Sequence, residues 1–194
     1  HRRKGAGKGI MLASAEHFKE MGIDTSQAEE LYGYGVENSM PNAVLELLRQ
    51  RGETICFAES CTGGGIGAAI TAIPGSSEVY KGGIISYTNE VKQKLLGINP
   101  FLLKNLGAVS APIAEAMAIG ARNAMNTDIA VSVTGVAGPD RDDRGNPVGT
   151  VYVALASEEE TLCVLCSCGS EQSRDEIRTA AADCAFRLIA AQLK

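Results

Sequence analysis

Two neighbouring residues of the chain, Ser60 and Cys61, have the chemistry of nucleophiles and sit in the segment A-E-S-C-T-G-G at positions 58–64. An apolar run leads into this segment and glycines follow it, the pattern of a strand that ends in a turn and opens a helix. Open α/β folds place ligands at such points. The first turn of a helix has main-chain N–H groups without partners and a partial positive charge. The amides of Thr62, Gly63 and Gly64 are therefore candidates to hold an anion or an oxyanion. By placement alone, Ser60 or Thr62 reads equally well as a plain helix cap. A thiolate is the stronger nucleophile, but adjacent residues at such a turn point in different directions, so one of the two faces the pocket. Residue chemistry favours Ser60 only mildly.

A nucleophile needs a proton acceptor, and both histidines, His1 and His17, lie in the first 17 residues. A Ser-His-Asp or Cys-His arrangement in the body of the chain would require that tail to fold back. Without histidine, serine requires a lysine or tyrosine, and the next strand–helix unit offers Tyr87, Lys92 and Lys94. At roughly 100° per residue, Val91, Leu95 and Leu96 mark a buried helix face that includes Lys92 and leaves Lys94 outside. A lysine on that face near a helix N-terminus has a lowered pKa, as a general base near neutral pH requires. The plainer reading is a snorkelling surface lysine beside a half-buried tyrosine. In T-G-V-A-G-P at 134–139, Thr134, Gly135, Ala137 and Gly138 end a further strand where main chain can approach a ligand, or simply turn. Arg174 and Arg178 lie one turn apart early in the last helix, where one can pair with a phosphate; an exposed face suits Arg178 better. The glycines at 63–67 lack the lysine of a nucleoside-triphosphate loop and complete no dinucleotide fingerprint.

The elements that must carry these residues alternate. Helix 42–52, strand 54–58, helix 62–73, strand 83–88, helix 89–96, helix 110–125 and strand 128–134 come first. After the loop at 135–147, strands 148–157 and 160–167 form an antiparallel pair, and an amphipathic helix spans 173–193. The expected fold is α/β, a three-layer α/β/α sandwich on a mixed sheet, in one domain at 40–194. Residues 1–39 read as a peripheral arm with short helices at 14–21 and 26–31, outside the functional argument.

Composition narrows the partners. The 194 residues carry a formal net charge of −5, which disfavours nucleic acid but permits a local pocket for a small anionic ligand. No apolar run reaches membrane-spanning length, and a cytoplasmic, membrane-free location is expected. The six cysteines read as reduced small hydrophobes, and Cys163 and Cys166 fall on opposite faces of a strand. With no histidine pair to complete a site, no metal is expected.

A-E-S-C-T-G-G, P-G-S-S-E-V-Y-K-G-G-I-I-S-Y-T-N-E-V-K, T-G-V-A-G-P, G-T-V-Y-V-A and S-R-D-E-I-R occur in this order from about residue 42 to the C-terminus. Together they resemble the C-terminal domain of the competence/damage-inducible CinA family. The resemblance implies deamidation of nicotinamide mononucleotide to nicotinate mononucleotide and ammonia, without metal or cofactor. It implies Ser60 as nucleophile, Tyr87 and Lys92 as its proton-moving partners, Arg174 as a further site residue, and a homodimer. Longer members carry an N-terminal domain resembling molybdopterin-binding proteins that 39 residues cannot encode, so a stand-alone deamidase is expected. The alternative is a nucleotide-binding module of the same fold without turnover; a lysine on an apolar face argues against it.

Overall fold

A computed structural model describes residues 40–193. The arm expected at 1–39, with its two short helices, lies outside the described residues. In chain order the elements are α1 (Met40–Arg51), β1 (Ile55–Glu59), α2 (Gly65–Thr71), a 3-10 turn (Ser76–Glu78), β2 (Tyr80–Ile85), α3 (Asn89–Leu96) and α4 (Pro100–Leu106). Then follow α5 (Ala111–Met125), β3 (Ile129–Gly135), β4 (Thr150–Ala156), β5 (Thr161–Ser167) and α6 (Arg174–Gln192).

The five strands form one sheet in the order β2-β1-β3-β4-β5. β1 is parallel to β2 and β3, whereas β4 runs antiparallel to both β3 and β5. This is the expected mixed sheet. Every residue of β1 is buried, as a central parallel strand covered on both faces must be. Ile55 and Phe57 point to a core shared with α1, α2 and α6; Cys56 and Ala58 point to a second core under α3, α4 and α5. The α/β/α layering thus follows from the two-residue period of β1.

Small residues set the spacing of the second layer. Ala114 and Ala118 of α5 pack on Ala154 and Ala156 of β4. At Gly120 an added Cβ would collide with the Leu96 carbonyl, so α3 lies directly against α5. At the other end of the chain, α6 starts with a capping box in which Ser173 and Glu176 satisfy each other's main-chain amides.

Four expectations change. The second strand is Tyr80–Ile85 rather than 83–88, because its residue pairing with β1 runs from Tyr80 to Ile85 and Thr88 caps α3 by accepting from the Val91 amide at 3.3 Å. The helix expected from residue 62 begins at Gly65, since Gly63 and Gly64 have φ of 62° and 99° and wind a tight turn first. Helix α4 has no counterpart in the periodicity reading, although Asn99 caps it and Pro100 occupies its first turn. Cys163 and Cys166 do face opposite sides of β5, but Cys166 is bonded to Cys184 of α6 as a disulfide, where six reduced thiols were expected. Both of its cysteines point into the core between β5 and α6, which brings their Cα atoms to 6.9 Å. No helix among the described residues is long and apolar enough to cross a membrane.

Candidate active site

Because β1, β2 and β3 are parallel, their C-terminal ends open on one side of the sheet, and the candidate residues gather there. The Ser60 amide donates to Val133 O at 3.0 Å, continuing the β1–β3 ladder one residue past the strand. On the other flank the Ser86 amide donates to Glu59 O at 2.7 Å and ties β1 to the end of β2. Helix α3 then returns over this junction, and Lys92 drops from its first turn into the gap. Lys92 Nζ meets Ser60 Oγ at 3.0 Å and donates to Ser86 O at 2.5 Å. Ser60 is 8% exposed and Lys92 1%. Burial lowers the Lys92 pKa from its usual value to about 8, with the nearby Cys61 thiol acting weakly in the opposite sense. The amine is therefore poised to exchange a proton near neutrality.

Glu59, which sequence reasoning passed over, organises the turn that follows. Its side chain is 3% exposed and fills the start of α2. One carboxylate oxygen accepts from the amides of Gly64 at 2.9 Å and Ile66 at 3.2 Å, the other from Gly67 at 2.8 Å. A Cβ at Gly67 would sit 2.8 Å from the Tyr80 hydroxyl and 3.5 Å from Glu59 Oε1, so this residue leaves room for the carboxylate. The Gly63 amide donates to Ser60 O at 3.1 Å. Of the three amides expected to hold an anion, those of Gly63 and Gly64 are thus engaged within the turn, and that of Thr62 is left. The available signal was a charged residue closing an otherwise apolar strand just before the glycines.

Cys61 turns away from Ser60 into the core of α1, α2 and α6 and is 6% exposed. Burial pushes its thiol up to about 12, so it stays protonated at neutral pH.

Tyr87 and Arg174 form a second, outer pair. Arg174 Nη2 donates to the Tyr87 hydroxyl at 3.0 Å and Nη1 to Gly138 O at 2.6 Å, joining α6, the end of β2 and the loop after β3. Tyr87 is 58% exposed, in contrast to the buried Ser60–Lys92 pair. Arg178 reaches further inward than an exposed helix face would suggest: its Nη2 donates to Thr62 O at 3.0 Å, while Nη1 stays 3.6 Å from Asp175. Thr134 donates from its buried hydroxyl to Ala108 O at 2.8 Å and so anchors the segment entering α5. At Gly135 a Cβ would lie 2.8 Å from Thr150 O, so the close approach here is to β4. Ala137 is buried, and Gly138, with φ 86°, presents its carbonyl to Arg174.

Residues 37–193 match the family model of the CinA C-terminal domain. The chain belongs to this family. A CinA-like protein of Prochlorococcus marinus (strain MIT 9313) is 53% identical over 127 residues, covering 65% of this chain and 30% of that protein. Another, of Cyanothece sp. (strain PCC 7425 / ATCC 29141), is 43% identical over 164 residues, covering 84% and 39%. The chain thus spans less than half the length of these curated relatives. Among solved structures, the competence/damage inducible protein CihA from Agrobacterium tumefaciens superposes with a TM-score of 0.70 at 38% identity, covering 77% of this chain and 96% of that one. A CinA superfamily protein from Klebsiella pneumoniae gives 0.77 at 27%, covering 79% and 95%.

In this CinA domain the parallel half of the sheet supplies the inner pair and its turn. The loop after β3 and helix α6 supply the Gly138 carbonyl and Arg174, which meet Tyr87, from the end of β2, at the rim.

Proposed function

We propose that this domain is an amidohydrolase that converts nicotinamide mononucleotide to nicotinate mononucleotide and ammonia. The carrying observation is the buried contact between Lys92 Nζ and Ser60 Oγ at 3.0 Å. A lysine kept out of water with its pKa near 8 is an unfavourable element of a scaffold, and a useful base. The nicotinamide nucleotide comes from the family resemblance; the small-molecule carboxamide chemistry is what the pair itself supports.

In the neutral amine one N–H of Lys92 donates to Ser86 O, and the lone pair faces the Ser60 hydroxyl. Ser60 Oγ attacks the carboxamide carbon as its proton passes to Lys92 Nζ. The C–N bond then breaks while Lys92 returns that proton to the departing nitrogen, releasing ammonia and leaving an acyl-Ser60 ester. A water attacks the ester with Lys92 again accepting the proton, and Ser60 is regenerated. Tyr87 and Arg174, on the rim, orient the nucleotide rather than exchange the first proton.

Ammonia release from nicotinamide mononucleotide is the direct test. Ser60→Ala is expected to abolish it and Cys61→Ala to leave it largely intact; the reverse pattern would sink the serine mechanism. An inactive wild-type protein would leave the fold and remove the activity.

A further inference from the structure

The turn after β1 has its main-chain donors almost fully assigned. The Ser60 amide goes to Val133 O, that of Gly63 to Ser60 O, that of Gly65 to Thr62 O, and those of Gly64, Ile66 and Gly67 to the Glu59 carboxylate. The amides of Cys61 and Thr62 are the two left without an acceptor among the described residues. Thr62 also has a second unmet group: it is 1% exposed, and its Oγ1 is buried without a hydrogen-bond partner. Buried polar groups are paired in the great majority of cases, and a residue with both an amide and a hydroxyl unmet is held there at a cost to stability.

We propose that Thr62 supplies the oxyanion site, its amide and hydroxyl together receiving the carboxamide oxygen once Ser60 has attacked. This rests on the amidohydrolase reading above. Thr62 lies two residues beyond Ser60 in the same tight turn, and its carbonyl accepts from Arg178 Nη2 at 3.0 Å, which anchors the Thr62–Gly63 peptide that follows the donor amide. As Ser60 Oγ bonds to the carboxamide carbon, the C=O π pair moves onto oxygen, and the two Thr62 donors hydrogen-bond that charge without transferring a proton. When the pair returns, the C–N bond breaks and ammonia leaves with the proton carried by Lys92. Glu59 gives this assignment its selectivity, since its carboxylate has taken the donors at the start of α2 that would otherwise compete for the oxygen.

The test compares Thr62→Val with Thr62→Ser. Valine keeps the shape and the amide but removes the hydroxyl, and is expected to lower kcat by about 100-fold with KM little changed. Its urea midpoint should equal or exceed that of wild type, because an unpartnered buried hydroxyl has been replaced by a methyl group. Serine should keep most of the activity. A Thr62→Val enzyme with near wild-type kcat overturns the proposal, as does an activity loss that only tracks loss of folded protein. The same variants are assayed on p-nitrophenyl acetate, whose carbonyl forms an equivalent oxyanion on Ser60. A Thr62→Val defect there, with no release of ammonia from nicotinamide mononucleotide by wild type, would retain the oxyanion site and reject the nucleotide. Absence of Ser60-dependent turnover of either compound overturns both.

Discussion

Lys92 Nζ lies 3.0 Å from Ser60 Oγ and 2.5 Å from Ser86 O, so one buried amine links the end of β1 to the end of β2. The carbonyl holds the amine in place and the hydroxyl gives it something to do. Everything expected of the reaction depends on that amine being able to lose its charge.

The first expected outcome is a pH profile. Lys92 must be neutral to accept the Ser60 proton, so kcat/KM should rise with pH to a plateau above about 8, the value to which burial lowers this lysine. Lys92→Arg keeps the charge but cannot release it at these pH values, and should lose about 100-fold or more in activity. Lys94→Ala should stay close to wild type. Initial-rate ammonia assays from pH 6 to 10 check all three.

Stability should carry the same signature. Lys92 has a folded pKa near 8 against 10.5 for the ordinary side chain, so between these values the unfolded chain binds more protons. Its contribution therefore makes the wild type gain stability as pH rises from 8 to 10.5, whereas below 8 the full penalty of burying the charge is present. Lys92→Met removes this dependence. Urea unfolding of the two proteins at a series of pH values should give curves whose difference narrows as pH rises, with the variant at its greatest advantage near neutrality. A difference independent of pH would contradict the buried-amine account.

Tyr87 separates the inner pair from the rim. Its hydroxyl accepts from Arg174 and its side chain is exposed, whereas Lys92 is buried in contact with Ser60. Tyr87→Phe should therefore lower kcat far less than Lys92→Ala and show part of its effect in KM. Steady-state kinetics on both variants decide this, and an equal collapse of kcat would place the tyrosine on the proton path.

Much of this arrangement was legible in the sequence. Lys92 could be told from Lys94 because it lies one turn before Leu96, with which it is buried, although Leu95, expected on the same buried face, is 49% exposed and Val91 is only half-buried. The β1 turn was legible from its glycines and the layers from the order of elements. Other features depend on residues distant in sequence. Glu59 reads as an ordinary charged residue until the amides of α2 are placed over it, and Arg178 looks exposed until Thr62 O is beside it. The shift of β2 to Tyr80–Ile85 follows from its pairing with β1, which no local pattern encodes. The Cys166–Cys184 pairing likewise needs β5 and α6 side by side.

The support of Lys92 reaches beyond the site. Helix α3 carries the amine and lies against α5 at Gly120, where a Cβ would collide with the Leu96 carbonyl. Gly120→Ala must push α3 outward, costing about 1–3 kcal/mol of stability. Since the displacement also moves Lys92 from Ser60, kcat should fall more than the folded fraction does. Parallel urea unfolding and activity measurements test whether the two losses separate.

A strand-to-helix turn of this kind is an open receptor for phosphate in many folds, and here it is already occupied from within. Glu59 is tethered at its own binding site, so an incoming phosphate would compete with a ligand of very high effective concentration that never diffuses away. Under the proposed function, the phosphate of the nucleotide is then accommodated elsewhere. A lineage that exchanged Glu59 for a neutral residue would vacate an anion cup one residue from Ser60, where a phosphate could lodge in place of the carboxylate.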